Sequence, residues 1–147
     1  MSDPVFSRRS IRRYTAAAVS EADVERLLRA AMAAPSAGNQ QPWTFVVVRE
    51  PATLRAIAAA SPNVGHVAGA AAAIVIVMDG GMPEIETFDE GRVAERILIA
   101  ATALGLASAI GWVMPTGAAP VAALLGVPEG RRAVPGADFG RAPSSVG

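Results

Sequence analysis

With 147 residues, a formal net charge of zero and 52% hydrophobic residues, the chain can bury a core and has the size of one domain. Its neutrality gives no footing for nucleic acid or anionic lipid, and the absence of cysteine excludes disulfides, thiolate nucleophiles and Cys-ligated metals. One histidine, His66, and no visible carboxylate cluster leave a metal site without a ligand set.

All 13 basic residues are arginine, which fits a compositional bias, but four of them crowd into Arg8, Arg9, Arg12 and Arg13. Met1 to Tyr14 has no apolar stretch of the secretory type, so a cytoplasmic protein is expected. The first firm element is a helix over Glu21–Ala34. Ser20 is its N-cap, and Val24, Leu27, Leu28, Ala31 and Met32 lie on one face. Pro35 ends it, and a polar loop through Pro42 leads into a strand, Trp43–Arg49. Pro51 starts a short helix to about Ala60, and Ala72–Met78 has the β-branched run of a fully buried strand. Gly80–Pro83 makes a turn. Thr87 or Asp89 can cap a long helix through Leu106, followed by a strand over Ser108–Val113 and a helix over Pro120–Leu125 that ends at Gly126. The uncharged run Ile97–Met114 is about as long as a membrane span, but its Ala, Gly, Ser and Thr content fits a buried helix end followed by a buried strand. Beyond Gly126 only Arg132–Phe139 has any strand character, and Pro135 and Gly136 make it a poor one. Alternating helices and strands indicate a sheet covered by helices.

No Ser-His-Asp arrangement, zinc motif, Walker loop or GxGxxG is present. Two segments stand out. In an extended Arg8–Tyr14, alternate side chains share a face, so Arg8, Ser10 and Arg12 point together. Two guanidiniums and a hydroxyl suit a phosphate or an electron-rich ring edge, and a solvated basic face is the competing reading. The loop Pro35–Trp43 offers Gly38 for close backbone approach and Asn39, Gln40 and Gln41 as amide donors and acceptors. By itself it is also an ordinary helix-to-strand loop.

Taken together, Arg8-x-Ser10-x-Arg12 and the helix ending Ala34-Pro35-Ser36-x-x-Asn39-x-Gln41-Pro42-Trp43 resemble the FMN-binding opening of the nitroreductase family. The likeness continues through Asp89-Glu90-Gly91, Ala100–Leu106 and Leu125–Gly130. It implies an α+β fold, a mostly antiparallel central sheet covered by helices in an intertwined homodimer. It also implies an FMN-dependent enzyme that passes hydride from NAD(P)H to a nitroaromatic, quinone or related acceptor by a ping-pong mechanism. By the same resemblance Arg8, Arg9, Ser10 and Arg12 contact the flavin, with Arg12 at its N1/O2 edge, and Pro35, Ser36, Ala37 and Asn39 line it from the partner subunit. Asn63 and His66 fall where some members contact the pyrimidine ring. Ile110, Gly111 and Trp112 fall where backbone runs along the flavin, although Trp112 reads equally as core packing. Members continue into a C-terminal strand and arm bearing a further basic residue for the FMN phosphate. Arg141–Ser145 does not match that motif, and the arm reads as missing or shortened. A non-catalytic flavin-binding protein is the alternative, and an arginine-rich nucleic-acid binder a remote third.

Overall fold

A computed structural model describes residues 3–144. The chain runs α1 (Pro4–Ser7), α2 (Glu21–Met32), β1 (Trp43–Val48), α3 (Pro51–Ala59), β2 (Ala72–Met78), α4 (Pro83–Ala103), β3 (Ala107–Gly111), α5 (Pro115–Leu124) and β4 (Arg132–Gly140). Short 3-10 segments lie at Ala37–Asn39 and Pro62–Gly69. The sheet order is β1-β2-β4-β3 and every neighbouring pair is antiparallel. This is the α+β arrangement implied by the family resemblance.

All seven residues of β2 are buried, because both faces of the sheet are covered. Ile74, Ile76 and Met78 meet Leu27 of α2 and Val93, Ile97 and Leu98 of α4 in one core. Ala73 and Val75 point the other way, to Leu54 and Ile57 of α3, Val64 and Val67 of the 3-10 segment, and Val121 of α5. Ser20 caps α2 as expected, its hydroxyl accepting the Asp23 N–H at 3.1 Å.

The structure corrects three boundaries. The long helix begins at Pro83, ahead of both expected caps. Proline fits its first position, and Glu86 reaches back to accept the N–H groups of Met82 (3.2 Å) and Gly80 (3.0 Å). Asp89, expected as a cap, is instead buried within the helix. The last helix likewise begins at Pro115 and contains Pro120. The third strand stops at Gly111, and Trp112 is 50% exposed rather than packed in the core.

The largest correction concerns Arg132–Gly140, which is an interior strand between β2 and β3. Its register against β2 slips between Ile74 and Ile76, where Ile74 faces Ala137 and Ile76 faces Val134. Pro135 and Gly136 thus stand opposite Val75 alone, a β-bulge that spares a ladder hydrogen bond proline cannot make. A Cβ on Gly136 would lie 1.7 Å from the Ile74 carbonyl oxygen, so the bulge requires glycine. The part of the tail beyond Ser144, including Ser145 of the expected mismatch, lies outside the described residues.

Candidate functional site

The Arg8–Arg12 segment leaves α1 and runs beside the start of β3. Ser10 forms a parallel bridge with Ser108, and the Ile11 N–H donates to the Ser108 carbonyl at 3.0 Å. Arg8 Nε lies 2.9 Å from Glu95 Oε1 on α4, while its Nη1 is buried with no hydrogen-bond partner among the described residues. The Ser108 hydroxyl beside this segment is buried and equally unpartnered. Arg9 spends its guanidinium on the Phe6 and Arg8 carbonyls at 3.0 and 2.8 Å. Arg12 is exposed and has no carboxylate within ion-pair distance among the described residues. A buried guanidinium N–H without an acceptor is costly unless something else accepts it. Arg8, Arg12 and the Ser108 hydroxyl lie along this segment and the strand it bridges, and donors of this kind suit a phosphate.

Ile110 and Gly111 continue the same strand. Ile110 faces α4, and Gly111 faces the 3-10 segment, where an added Cβ would meet Val67 at 3.2 Å and the Asp138 carboxylate at 3.6 Å. Asn63 and His66 sit three residues apart on that segment, so the 3-10 period places them along one edge. Asn63 is exposed. His66 is mostly buried, its Nε2 3.2 Å from Asp138 Oδ1. The two atoms are out of line for a hydrogen bond, and neither has another partner.

Asp138 and Tyr14 are the residues that sequence reasoning missed here. Asp138 is 1% exposed on interior strand β4, level with Ala109 of β3. Its Oδ2 accepts the Tyr14 hydroxyl at 2.5 Å, and Tyr14 packs over Gly140. Burial pushes the Tyr14 hydroxyl far above the ordinary tyrosine range, Asp138 adds to the shift, and Arg12 only partly offsets it. Tyr14 therefore remains a donor. The N-terminal segment, β4 and the 3-10 segment are in this way tied together beneath β3. A polar residue in an assumed poor strand was the available signal.

The loop Pro35–Asn39 lies elsewhere. The Ala37 N–H donates to Asp89 Oδ2 at 3.0 Å, and the Ser36 hydroxyl accepts the Gln41 N–H at 2.9 Å. Gly38, Asn39 and Gln41 all have positive φ, at 56°, 54° and 51°, which is unfavourable for glutamine and marks a loop held in a constrained shape. Pro35 and Asn39 are exposed. Asp89 and Glu95 are six residues apart on α4, roughly 9 Å along its axis. The structure therefore gathers Arg8, Ser10, Ile110, Gly111 and His66 around β3 and holds Pro35, Ser36, Ala37 and Asn39 at a separate station on α4. Arg131 and Arg141 are engaged elsewhere, with Asp79 at 3.3 Å and Asp23 at 3.6 Å.

A second buried polar group was also missed. Glu86 and Glu90, one turn apart on α4, share Arg132 Nη2 at 3.4 and 3.2 Å. Burial raises the Glu86 carboxyl, but the Met82 and Gly80 N–H groups and Arg132 outweigh it, and the net shift is downward. For Glu90 burial prevails over Arg132, with Glu86 adding to it, and the shift is upward. Among the described residues, no group of three or more His, Cys, Asp or Glu is placed to hold a metal, and no helix is long and apolar enough to cross a membrane.

Known proteins carry the same architecture. The nitroreductase family profile matches residues 5–79. A protein of Archaeoglobus fulgidus, whose name pairs NADH dehydrogenase with NAD(P)H nitroreductase, is 39% identical over 134 residues, 85% of this chain and 75% of that protein. The structure of an FMN-dependent nitroreductase from Clostridium difficile R20291 superposes with a TM-score of 0.91 at 25% identity, covering 98% of this chain and 88% of that one. The NADPH:FMN oxidoreductase of Vibrio harveyi, solved in complex with NAD+, gives 0.84 at 25% identity, covering 94% and 66%. Profile, sequence identity and fold agree, and the chain belongs to the nitroreductase family.

Proposed function

We propose that the protein is a cytoplasmic, NAD(P)H-dependent oxidoreductase that holds FMN and reduces an electron-poor acceptor, a quinone or nitroaromatic, by a ping-pong mechanism. The observation that carries this reading is a run of uncommitted donors on the Arg8–Arg12 segment and the strand it bridges: Arg8 Nη1 and the Ser108 hydroxyl, both buried and unpartnered among the described residues, and the exposed Arg12. Arg8 and the Ser108 hydroxyl suit a flavin phosphate and its ribityl hydroxyls, and Arg12 the ring edge. Bound FMN supplies the two-electron chemistry, and the protein binds, orients and tunes it. For a quinone the balance is NAD(P)H, one proton and quinone giving NAD(P)+ and hydroquinone. Arg8, Arg9 and Ser10 hold the phosphate end, Arg12 sets a positive charge at the N1/O2 edge, and Asn63 and His66 border the pyrimidine. The backbone of Ile110 and Gly111 runs along the ring.

The site is completed in a homodimer, with Pro35, Ser36, Ala37 and Asn39 supplied by the partner. Two features support this: the separation of that loop from the Arg8 cluster, and large apolar side chains left on the surface of one chain. Phe6 is 80% exposed and Phe88 66% exposed. A two-fold dimer covers them and makes two equivalent sites.

Two measurements test the reading. Purified protein should bind one FMN per chain, bleached by anaerobic NAD(P)H. Protein that binds no FMN at high micromolar concentration overturns it. Arg12→Ala and Asn39→Ala homodimers should each be inactive, yet a mixed dimer has one site with both changes and one with neither. Co-refolding should restore up to about a quarter of wild-type activity if half the dimers are mixed. No recovery in mixed dimers confirmed by tag pull-down means the site does not cross the interface.

A further inference from the structure

Asp138 puts a carboxylate into an apolar layer. It pairs across the sheet with Ala73, whose face of the sheet packs on Leu54, Ile57, Val64 and Val67, and it is 1% exposed. A charge so placed is costly unless its oxygens are hydrogen-bonded. Only Oδ2 is, by the Tyr14 hydroxyl. Oδ1 faces His66 Nε2 at 3.2 Å but out of line, and among the described residues neither atom has a hydrogen-bond partner.

Glycines clear the space on both sides of this cluster. A Cβ on Gly140 would lie 2.9 Å from the Tyr14 ring, and one on Gly111 would lie 3.6 Å from Oδ1 and 3.2 Å from Val67. The Tyr14 bond by itself ties the N-terminal segment to β4. It does not require the single histidine of the chain at the second oxygen. A bond left unmade between two buried polar atoms costs stability, so the fold gains nothing from the pair as it stands. What the pair lacks is alignment, not proximity.

We propose that Asp138 and Tyr14 are positioning residues that prepare His66 to recognise the uracil-like edge of the flavin. Tyr14 fixes the carboxylate, Oδ1 accepts the hydrogen bond from His66 Nε2 once FMN fills the site, and Nδ1 is left for the ring. The inference rests on the flavin reading above, which sets His66 beside the pyrimidine and gives Asp138 and Tyr14 no part. A proton kept at Nε2 makes Nδ1 an acceptor for a ring N–H while the imidazole is neutral, and a donor to a ring carbonyl when it is protonated. Those are the two kinds of group that alternate along such an edge. Neither Asp138 nor Tyr14 touches the flavin, and both act through His66.

The test is a double-mutant cycle on FMN affinity, read from the quenching of flavin fluorescence. Asp138→Asn and His66→Gln should each weaken binding about tenfold, the loss expected of one charge-assisted hydrogen bond, and Tyr14→Phe about threefold. In the His66→Gln background neither Asp138→Asn nor Tyr14→Phe should weaken it further by more than about twofold, because both act through His66. With FMN bound, 15N-histidine NMR of the wild type, which reports His66 alone, should show a proton on Nε2 held against exchange with water. Equal losses in both backgrounds would make Asp138 a structural residue only and overturn the proposal, as would undiminished affinity in Asp138→Asn or a bare Nε2 in the complex. Should Asp138→Asn fail to fold, Tyr14→Phe completes the cycle and the wild-type NMR decides independently. Protein that binds no FMN refutes the oxidoreductase reading and this inference with it. FMN binding with an additive cycle refutes this inference alone.

Discussion

Two neighbouring strands in one sheet are built on opposite principles. β2 contains no polar side chain: its seven residues are buried against helices on both faces, and a straight ladder joins it to β1. β4 lies beside it, equally enclosed near its end, yet it carries Arg132, Pro135, Gly136 and Asp138. It bulges where β2 is regular, and its polar ends bind the two buried clusters, Arg132 with Glu86 and Glu90, Asp138 with Tyr14 and His66. Interior position alone therefore does not determine strand composition. β2 supplies hydrophobic burial, and β4 places donors and acceptors at both edges of the candidate site.

The comparison breaks most sharply at the bulge. In Gly136→Ala the new Cβ would meet the Ile74 carbonyl oxygen at 1.7 Å, its carbon at 2.7 Å and Val75 Cα at 2.9 Å, all backbone. No side-chain rotation relieves such contacts. The expected loss is at least ~3 kcal/mol, the upper part of the overpacking range, read from urea unfolding. A loss under ~1 kcal/mol would show that the bulge is not built as described.

Next in size is the Tyr14–Asp138 bond. Tyr14→Phe removes the donor from a buried carboxylate oxygen, and the expected cost is about 1.5–3 kcal/mol. Alkaline pH tests the same bond. The folded-state pKa of Tyr14 is raised, so its contribution is complete below the unfolded-state value of about 10 and is lost as pH rises beyond it. With no lysine, no cysteine and a single tyrosine, Tyr14 is the only side chain expected to titrate between about pH 9 and 12. Wild-type stability should fall by roughly 1.4 kcal/mol per pH unit above pH 10, and Tyr14→Phe should show no such slope. Tyrosinate absorbance at 295 nm in folded protein near pH 10 would contradict this.

The strands also differ in how plainly their sequences announce them. Ala72–Met78 is a run of β-branched and small apolar residues, and hydrophobicity alone marks it as an interior strand. Arg132–Gly140 hides the same position, since its proline and glycine are tolerated only through a slip that depends on Val75, some 60 residues earlier in the chain. Asp138 went unnoticed for the same reason: a buried acid is recognised by its partners, and Tyr14 and His66 are distant in sequence. The Arg8–Arg12 and Pro35–Asn39 segments were legible because their chemistry is local, a spaced set of donors and a glycine-containing turn. Helix starts were misplaced where an internal acid does the work of a cap. Glu86 reaches back four residues to Met82, and Pro83 reads as a turn residue when it is the first helical position.

The smallest expected effect lies in β2. Ile76 is fully buried and pairs with Phe45 and Val134, and its side of the sheet packs on Leu27, Val93 and Ile97. Ile76→Val removes one methyl group and introduces no clash or unpaired polar atom, so the expected cost is about 0.5–1.5 kcal/mol. If β2 supplies burial alone, FMN affinity should be unchanged within error, because its side chain packs in the apolar core between the sheet, α2 and α4. Asp138→Asn should do the reverse relative to its size. It keeps the shape of the side chain but changes what Tyr14 and His66 meet, so it should weaken FMN binding beyond anything its loss of stability explains. Measuring unfolding free energy and FMN affinity for both variants separates the roles. Should Ile76→Val weaken FMN binding as much as Asp138→Asn does, β4 has no special part in shaping the site, and the division of labour between the strands is wrong.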